Sequence, residues 1–243
     1  MDGDTFRPIF ETDGDLLLMG VLAPYARART WRADPDAALA RELGAHPMTA
    51  PLIAGQQPVG RAVGLLKGRF YFRRAAGPGW ALVGDAGLHK DPTPGLGITD
   101  ALRDAKSLST AILDGRESAL ELYWRERDVL SMPLYWSAGD MGSTDYANPF
   151  MELVFDRLNA SPELKARMRL VFDREMSPYE MVPAKDIFKW TTAALLHGRT
   201  EILPAMLKGG RRIAELGLEM RHRRALFEKA RDRAGNYRSG LPG

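Results

Sequence analysis

The spacing of apolar and polar positions changes along the chain and predicts an α+β first part followed by helices. Two short apolar runs, at residues 6–10 and 16–23, flank Asp13-Gly14, a dipeptide typical of hairpin turns. Asp34 and Pro35 then predict a helix start, as N-cap and first-turn residue, with the helix ending near Gly44. Further strands are predicted at residues 58–64, 70–73 and 81–83.

From Ile98 onward the apolar residues recur at helical spacing. The first of these helices has one apolar face: Ala101, Leu102, Ala105, Leu108, Ala111 and Ile112. A second helix is predicted over residues 116–131, with a break at Met132-Pro133 and a loop over 139–148. Further helices are predicted over residues 149–158, 161–175, 186–196 and 201–207, with a break at 177–183.

The stretch over residues 80–113 combines a strand, a loop rich in glycine and proline, and a helix start. Such a unit can hold a polar cofactor, because the first amides of a helix lack partners within the helix and carry partial positive charge. Gly95 and Gly97 leave no side chain to block a flat ring from the backbone. Asp85, directly after the apolar run, can accept hydrogen bonds from ligand hydroxyls.

The order of residues in this stretch resembles the second FAD-binding motif of flavoprotein monooxygenases related to p-hydroxybenzoate hydroxylase. The matching residues are Gly84-Asp85-Ala86, Pro92, Gly97-Ile98-Thr99, Ala101 and Asp104-Ala105. The resemblance implies that Asp85 holds a ribityl hydroxyl of FAD and that Pro92 lies beside the isoalloxazine. It also implies that Gly97-Ile98-Thr99 offers backbone amides to the flavin pyrimidine. Pro94-Gly95-Leu96 departs from the pattern, in which a small residue and Gln are more usual.

The same resemblance implies a fold and its domains. It implies an α/β flavoenzyme, of which this chain would be an α+β portion. Residues 1–78 would form a substrate-binding β-sheet region with one helix. Residues 79–115 would supply the last strand and helix of a Rossmann-like FAD domain, and residues 116–243 a helical region with a basic tail helix.

The function implied is that of an FAD-dependent oxidoreductase. In these enzymes NAD(P)H reduces FAD, and the reduced flavin takes up O2 to give a C4a-hydroperoxide that hydroxylates or epoxidises a small organic substrate. Relatives with the same Gly-Asp pair instead reduce prenyl double bonds or halogenate aromatics. The sequence identifies no catalytic residue, so the type of reaction stays open.

No GxGxxG fingerprint occurs in the sequence, since Gly77-Pro78-Gly79 and Gly95-Leu96-Gly97 are not followed by the third glycine. In the family that unit is N-terminal and binds the ADP half of FAD. The chain is therefore expected to be the C-terminal portion of a flavoenzyme. The N-terminal half of the FAD domain is missing from this sequence and is expected in cis. Alone it would bind FAD weakly or not at all and would expose apolar surface at residues 81–83 and 101–112. An inactive remnant or binding module is the alternative.

The composition of the chain argues against several other kinds of site and partner. The chain has no cysteine, a net charge of +3 and four scattered histidines, so disulfides, a nucleic-acid partner and a metal site are not expected. The longest apolar run, residues 16–24, is too short to span a membrane. With no signal segment in evidence, we expect no stable membrane insertion and a cytoplasmic location.

Two features have competing interpretations. Ten basic and four acidic residues from Lys208 onward give the tail a net charge of +6. The favoured interpretation is a solvated helix that packs one apolar face on the body, and the other is a surface for anionic membrane or an acidic protein. For Trp124, Tyr135 and Trp136, core or helix packing is favoured over pocket lining.

Overall fold

The computed structural model describes residues 5–143 and 148–234. The protein is mostly helical (63%) with small antiparallel sheets, so the coarse α+β prediction is confirmed. Across these two ranges the strands form three antiparallel pairs, and no Rossmann-like sheet is present. The chain divides into two compact units, Met1–Gly68 and Arg69–Gly243, whereas the boundaries expected from the sequence fall inside the second unit.

The first unit begins with a hairpin of β1 (Ile9–Glu11) and β2 (Leu17–Met19), in which Phe10 pairs with Leu18. Gly14 and Asp15 both have positive φ at the turn, which confirms the predicted hairpin. Three helices follow: α1 (Tyr25–Ala28), α2 (Pro35–Gly44) and α3 (Ala50–Ile53), with a 3-10 turn at Arg29–Ala33.

The N-terminus of α2 is capped as predicted, because the Asp34 side chain accepts a hydrogen bond from the Ala37 amide at 3.0 Å. The strand predicted over residues 58–64 is wrong, since this segment is irregular. Gly60 has a φ of +83°, which interrupts extended backbone, and Val63 is 96% exposed. The apolar spacing there therefore buries nothing and has no strand to pair with.

The second unit contains two short antiparallel pairs. β3 (Tyr71–Phe72) pairs with β6 (Leu88–His89), and β4 (Ala76–Gly77) pairs with β5 (Trp80–Ala81). The strand predicted over 81–83, as the last strand of a Rossmann-like sheet, is thus wrong in extent and in pairing: only Ala81 lies in a strand, the antiparallel β5. The reason is local: Gly79, with a φ of +74°, turns the chain back so that β5 pairs with β4.

Helices make up the rest of the second unit. They are α4 (Gly97–Asp114), α5 (Glu117–Met141), α6 (Pro149–Ala160), α7 (Pro162–Phe172), α8 (Ala184–Leu196) and α9 (Leu203–Ala234). Short 3-10 turns lie at Gly84–Ala86, Pro178–Glu180 and Thr200–Ile202. Asn148 and Ser161 cap α6 and α7, so the predicted start of each helix is confirmed.

The predicted break at Met132-Pro133 is wrong, because α5 continues through Pro133 to Met141. Proline removes one helical hydrogen bond, but buried packing lies on both sides of it. Before Pro133, Val129 packs in a cluster with Phe227, and after it Leu134 packs with Leu96. Residues 139–141 of the predicted loop belong to α5, and residues 144–147 lie outside the described part of the chain.

Residues 203–207 of the helix predicted at 201–207 and the part of the basic tail that the structure describes, residues 208–234, form one helix, α9, which continues through Gly209, Gly210 and Gly217. Leu216, Phe227 and Ala230 are buried in it. Its arginines pair with acids of α5: Arg212 with Asp140 (2.8 Å), Arg223 with Asp128 (2.7 Å) and Arg233 with Glu121 (3.0 Å). The interpretation of the tail as a helix packed on the body is confirmed.

The three aromatic residues of α5 also take part in helix packing, as favoured from the sequence. Trp124 packs against the cluster around Tyr123, and the Tyr135 ring meets Phe72 edge-on with centroids 4.7 Å apart. The Arg212 guanidinium lies 4.2 Å from the Trp136 ring centroid. Of the helices in the described ranges, none is both long and apolar enough to cross a membrane.

Candidate functional site

The 3-10 turn Gly84–Ala86 follows β5 and packs against α4. Gly84 is buried and has a φ of +54°, a conformation that favours glycine. A Cβ added at Gly84 would lie 2.9 Å from the Cβ of Ala101 on α4. Both the backbone conformation and the close approach of the helix therefore require glycine at this position.

A carboxylate of α4 holds the start of this turn. The Gly84 amide donates a hydrogen bond to Oδ2 of Asp104 at 3.0 Å, and the Gly87 amide donates to the Gly84 carbonyl at 3.0 Å. Burial raises the pKa of Asp104, and the bond from Gly84 and the nearby Arg127 oppose that shift. Asp104 thus satisfies a buried amide at the cost of its own desolvation.

Tyr71 of β3 and Arg73, the residue directly after β3, donate hydrogen bonds to the carbonyls of the turn. The Tyr71 hydroxyl donates to the Asp85 carbonyl at 2.8 Å, and Arg73 Nη1 donates to the Ala86 carbonyl at 3.3 Å. The Arg73 amide donates to the Gly87 carbonyl at 2.9 Å. The Asp85 residue itself is exposed, so the turn carries a carboxylate at the surface.

The helix start offers the second half of the site. Leu96 precedes α4 and is buried with Leu134 and Val171, which anchors the helix end. No side chain of the described residues caps α4, and Gly97, Ile98 and Thr99 are exposed. The space around Gly97 is open, since a Cβ placed there meets no described atom within 4 Å. A ligand can therefore reach the first amides of α4 directly.

Local hydrogen bonds fix the loop between β6 and α4. The Gly95 amide donates to the Pro92 carbonyl at 2.8 Å, and Gly95 has a φ of +69°. Oδ1 of Asp91 accepts from the amide and hydroxyl of Thr93 at 2.9 and 2.5 Å. Pro92 and Gly95 are exposed.

The seven predicted site residues lie on one segment, which runs from the Gly84–Ala86 turn through β6 to the first turn of α4. They are Gly84, Asp85, Pro92, Gly95, Gly97, Ile98 and Thr99. Gly84 is buried as a structural residue, and the other six lie at the surface. The sequence did not single out Tyr71, Arg73 and Asp104 as residues that hold the turn. Asp104 could have been found, because it belongs to the matched motif.

Beneath the start of α4 lies a buried group of charges. Asp100 forms ion pairs with Lys90 and with Arg174, and all three side chains are buried. Burial lowers the pKa of Arg174 to about 10. This end of α4 is thus tied to the chain before it and to the end of α7.

A second polar network fixes the strands to α5. The Tyr123 hydroxyl donates to the Leu82 carbonyl at 2.6 Å, and Arg127 Nη2 donates to the Arg73 carbonyl at 3.0 Å. Arg127 also pairs with Asp128 at 2.7 Å. Burial raises the pKa of Tyr123 and of Asp128. These bonds hold the segments on either side of the turn in place.

The second unit also contains a pocket away from the predicted site residues. An open pocket of about 300 Å³ is formed by α6, α7 and α8, and none of the predicted site residues lines it. Within residues 5–143 and 148–234, no group of three or more His, Cys, Asp or Glu side chains could hold a metal ion.

Comparison of this chain with protein-family models, with curated proteins and with solved structures gives no match.

Proposed function

We propose that this chain is part of an FAD-dependent oxidoreductase, an NAD(P)H-dependent monooxygenase of a small organic substrate. The observation that carries the proposal is that Asp85 and the first residues of α4, which belong to the matched motif, are exposed. Gly84 supports it, since it has the positive φ and the close helix contact that a Gly-Asp turn against a helix requires.

The exposed residues of this unit suit a flavin. The Asp85 carboxylate would accept a hydrogen bond from a ribityl hydroxyl, and the uncapped amides at Gly97, Ile98 and Thr99 would bind the pyrimidine. The helix dipole favours negative charge at the same place. The open space at Gly97 leaves room for a ring against the backbone, with Pro92 and Gly95 at its edge.

A bound flavin supplies the transfer of electrons from NAD(P)H and the reaction with oxygen. The residues of the chain would bind and orient it, so the proposal requires no acid–base pair in the described site. A flavin-dependent reductase or halogenase would use the same contacts. We place the reaction in the cytoplasm, in keeping with a chain that contains no cysteine.

The ADP half of FAD needs further contacts, because residues 1–243 contain no GxGxxG fingerprint. The proposal assigns this half to a segment in cis that carries the fingerprint. An inactive binding module is the alternative that the missing fingerprint favours. The two are separated by titrating FAD into residues 1–243 and into the product of the complete reading frame that contains them. Tighter binding by the longer chain supports the proposal.

The direct test of the site is Asp85→Ala in the product of the complete reading frame. Loss of a hydrogen bond to a charged acceptor costs about 1.5–3 kcal/mol, which is roughly a 10- to 150-fold rise in the Kd for FAD. The Kd is measured by quenching of flavin fluorescence. Asp232→Ala, at an exposed position of α9, removes the same charge and should leave the Kd unchanged. An unchanged Kd for Asp85→Ala would exclude this residue from the site.

The helix start is tested with Gly97→Val. Because the space at Gly97 is open, the valine should be accepted by the fold but should occupy the place of the ring. We expect loss of the yellow colour of the purified protein with an unchanged far-UV circular dichroism spectrum. A variant that binds FAD as the wild type does would place the ring elsewhere.

A further inference from the structure

The side chains of β3 and of the residue after it contact two different parts of the second unit. Phe72 packs on the helices, since its ring meets Tyr135 and lies 4.8 Å from the Arg223 guanidinium. Tyr71 and Arg73, one residue to either side, both bond to the Gly84–Ala86 turn. Alternation along an extended segment explains the division, because neighbouring side chains point to opposite faces.

The Tyr71 ring is itself held in place. The Arg73 guanidinium lies 4.0 Å from its centroid, and the His89 ring lies 5.7 Å away on the paired strand β6. The His89 ring nitrogen Nδ1 lies 2.7 Å from the Arg69 carbonyl oxygen, which fixes that ring in turn. The hydroxyl that reaches the Asp85 carbonyl is therefore carried by a ring with little freedom.

These contacts occupy the carbonyls of the turn and leave the Asp85 carboxylate at the surface. The carbonyls of Gly84, Asp85, Ala86 and Gly87 each accept a hydrogen bond from within the chain. Two of the four bonds come from the side chains of Tyr71 in β3 and Arg73 directly after it. The bonds fix the peptide planes around Asp85 and hence the direction in which its carboxylate leaves the backbone. That carboxylate is exposed.

We propose that Tyr71 and Arg73 are positioning residues of the flavin site, which act by fixing the Gly84–Gly87 backbone so that Asp85 meets the ribityl chain. This inference rests on the proposed function. Neither residue needs to touch the flavin, and the effect of each should pass through Asp85. Tyr71 carries the larger share, because its hydrogen bond is the shorter of the two.

The test is a double-mutant cycle of Tyr71→Phe and Asp85→Ala in the product of the complete reading frame. Tyr71→Phe keeps the ring and its contacts and removes only the hydroxyl. Loss of one neutral hydrogen bond should raise the Kd for FAD about two- to tenfold. In the Asp85→Ala background the same substitution should change the Kd less than twofold, because the group it positions is gone. Tyr25→Phe, at an exposed tyrosine of α1, is the matched control.

Each outcome decides the inference. A raised Kd for Tyr71→Phe that disappears in the Asp85→Ala background supports it. An unchanged Kd, or an equal rise in both backgrounds, overturns it while the proposed function stands. A wild-type protein that binds no FAD overturns the proposed function and this inference with it. Arg73→Met should show the same pattern with a smaller rise, and a larger effect than that of Tyr71→Phe would contradict the assigned order.

Discussion

The helices α4 and α9 differ in which of their residues are buried. In α9 the apolar residues Leu216, Phe227 and Ala230 are buried, and arginines at the edge pair with acids of α5. In the first half of α4 the carboxylates of Asp100 and Asp104 are buried instead. Its outer face is apolar and exposed: Ile98 by 79%, Leu102 by 68%, Ile112 by 62% and Leu113 by 87%.

The difference follows from what each helix packs against. α9 lies along α5, whose buried residues Leu122 and Val129 offer apolar surface. The start of α4 lies against a turn whose buried amide at Gly84 needs an acceptor, and Asp104 supplies it. Helical spacing predicted both helices, but the face that is buried depends on the neighbour. The apolar face expected for α4 is therefore correct only in part, as Ala111 is buried while Ala105 is exposed.

The largest effect is expected on the apolar side of α9. Phe227→Ala would open a cavity in the cluster with Leu122 and should lower the free energy of unfolding by about 3–5 kcal/mol. Leu218→Ala on the same helix, at a position that is 61% exposed, should change it by less than about 0.5 kcal/mol. Urea unfolding measures both. Equal losses would mean that α9 is not packed through the face described.

The next largest effect on stability is expected at the Gly84–Ala86 turn, which packs against α4. Gly84→Ala meets both a left-handed backbone and the Ala101 side chain, so we expect a loss of about 2–4 kcal/mol in the free energy of unfolding. Gly95→Ala has a similar φ with open space around it and should lose only about 1–2 kcal/mol. If thermal unfolding shows the two variants to be equally stable, the contact with Ala101 does not constrain the turn.

A smaller, pH-dependent effect is expected for the buried carboxylate of α4. Because burial raises the pKa of Asp104, the folded state holds this proton at a pH where the unfolded state has released it. Stability contributed by this residue is therefore lost as pH rises through the window from the ordinary pKa to the raised one. Asp104→Asn keeps an acceptor for Gly84 and should remove this dependence. Urea unfolding from pH 3 to 8 should show the variant gaining on the wild type as pH rises, and parallel curves would contradict the buried charge.

The smallest effect is expected on the exposed face of α4. Ile112→Gln removes apolar surface that is already in water, so the free energy of unfolding should change by less than about 0.5 kcal/mol. The concentration at which the protein precipitates should rise, because an exposed apolar strip favours association. A loss of stability above 1 kcal/mol would show that this face is covered.

Features set by neighbouring residues could be predicted from the sequence. The hairpin at Gly14 and the caps of α2, α6 and α7 depend on residues within three positions of one another. The continuation of α5 through Pro133 could not, because it depends on packing against residues distant in the chain. Local propensity at proline predicts a break, and tertiary contacts override it.

The same division applies to the candidate site. The order of Gly84, Asp85 and Gly97 predicted a strand, a loop and a helix start. The turn at Gly84–Ala86 and the exposed start of α4 are present, but the strand before the turn is the two-residue antiparallel β5, and β6 lies between turn and helix. Tyr71 was not predicted to hold the turn, since it reaches the turn across 14 positions of sequence. Asp104 reaches it across 20 positions, and only its place in the matched motif pointed to it. No periodicity relates residues at such separations. The role of the exposed residues in binding FAD stays a prediction.

Arg174 has a consequence for how the second unit opens. It adopts a positive φ just after α7, and its side chain reaches the Asp100 carboxylate at the start of α4. Unwinding the end of α7 would leave the buried Asp100 carboxylate paired with one cation instead of two. Separate opening of the end of α7 or of the start of α4 is therefore unfavourable. In native-state hydrogen exchange, the first turn of α4 and the last turn of α7 should therefore lose protection together, as a single cooperative unit.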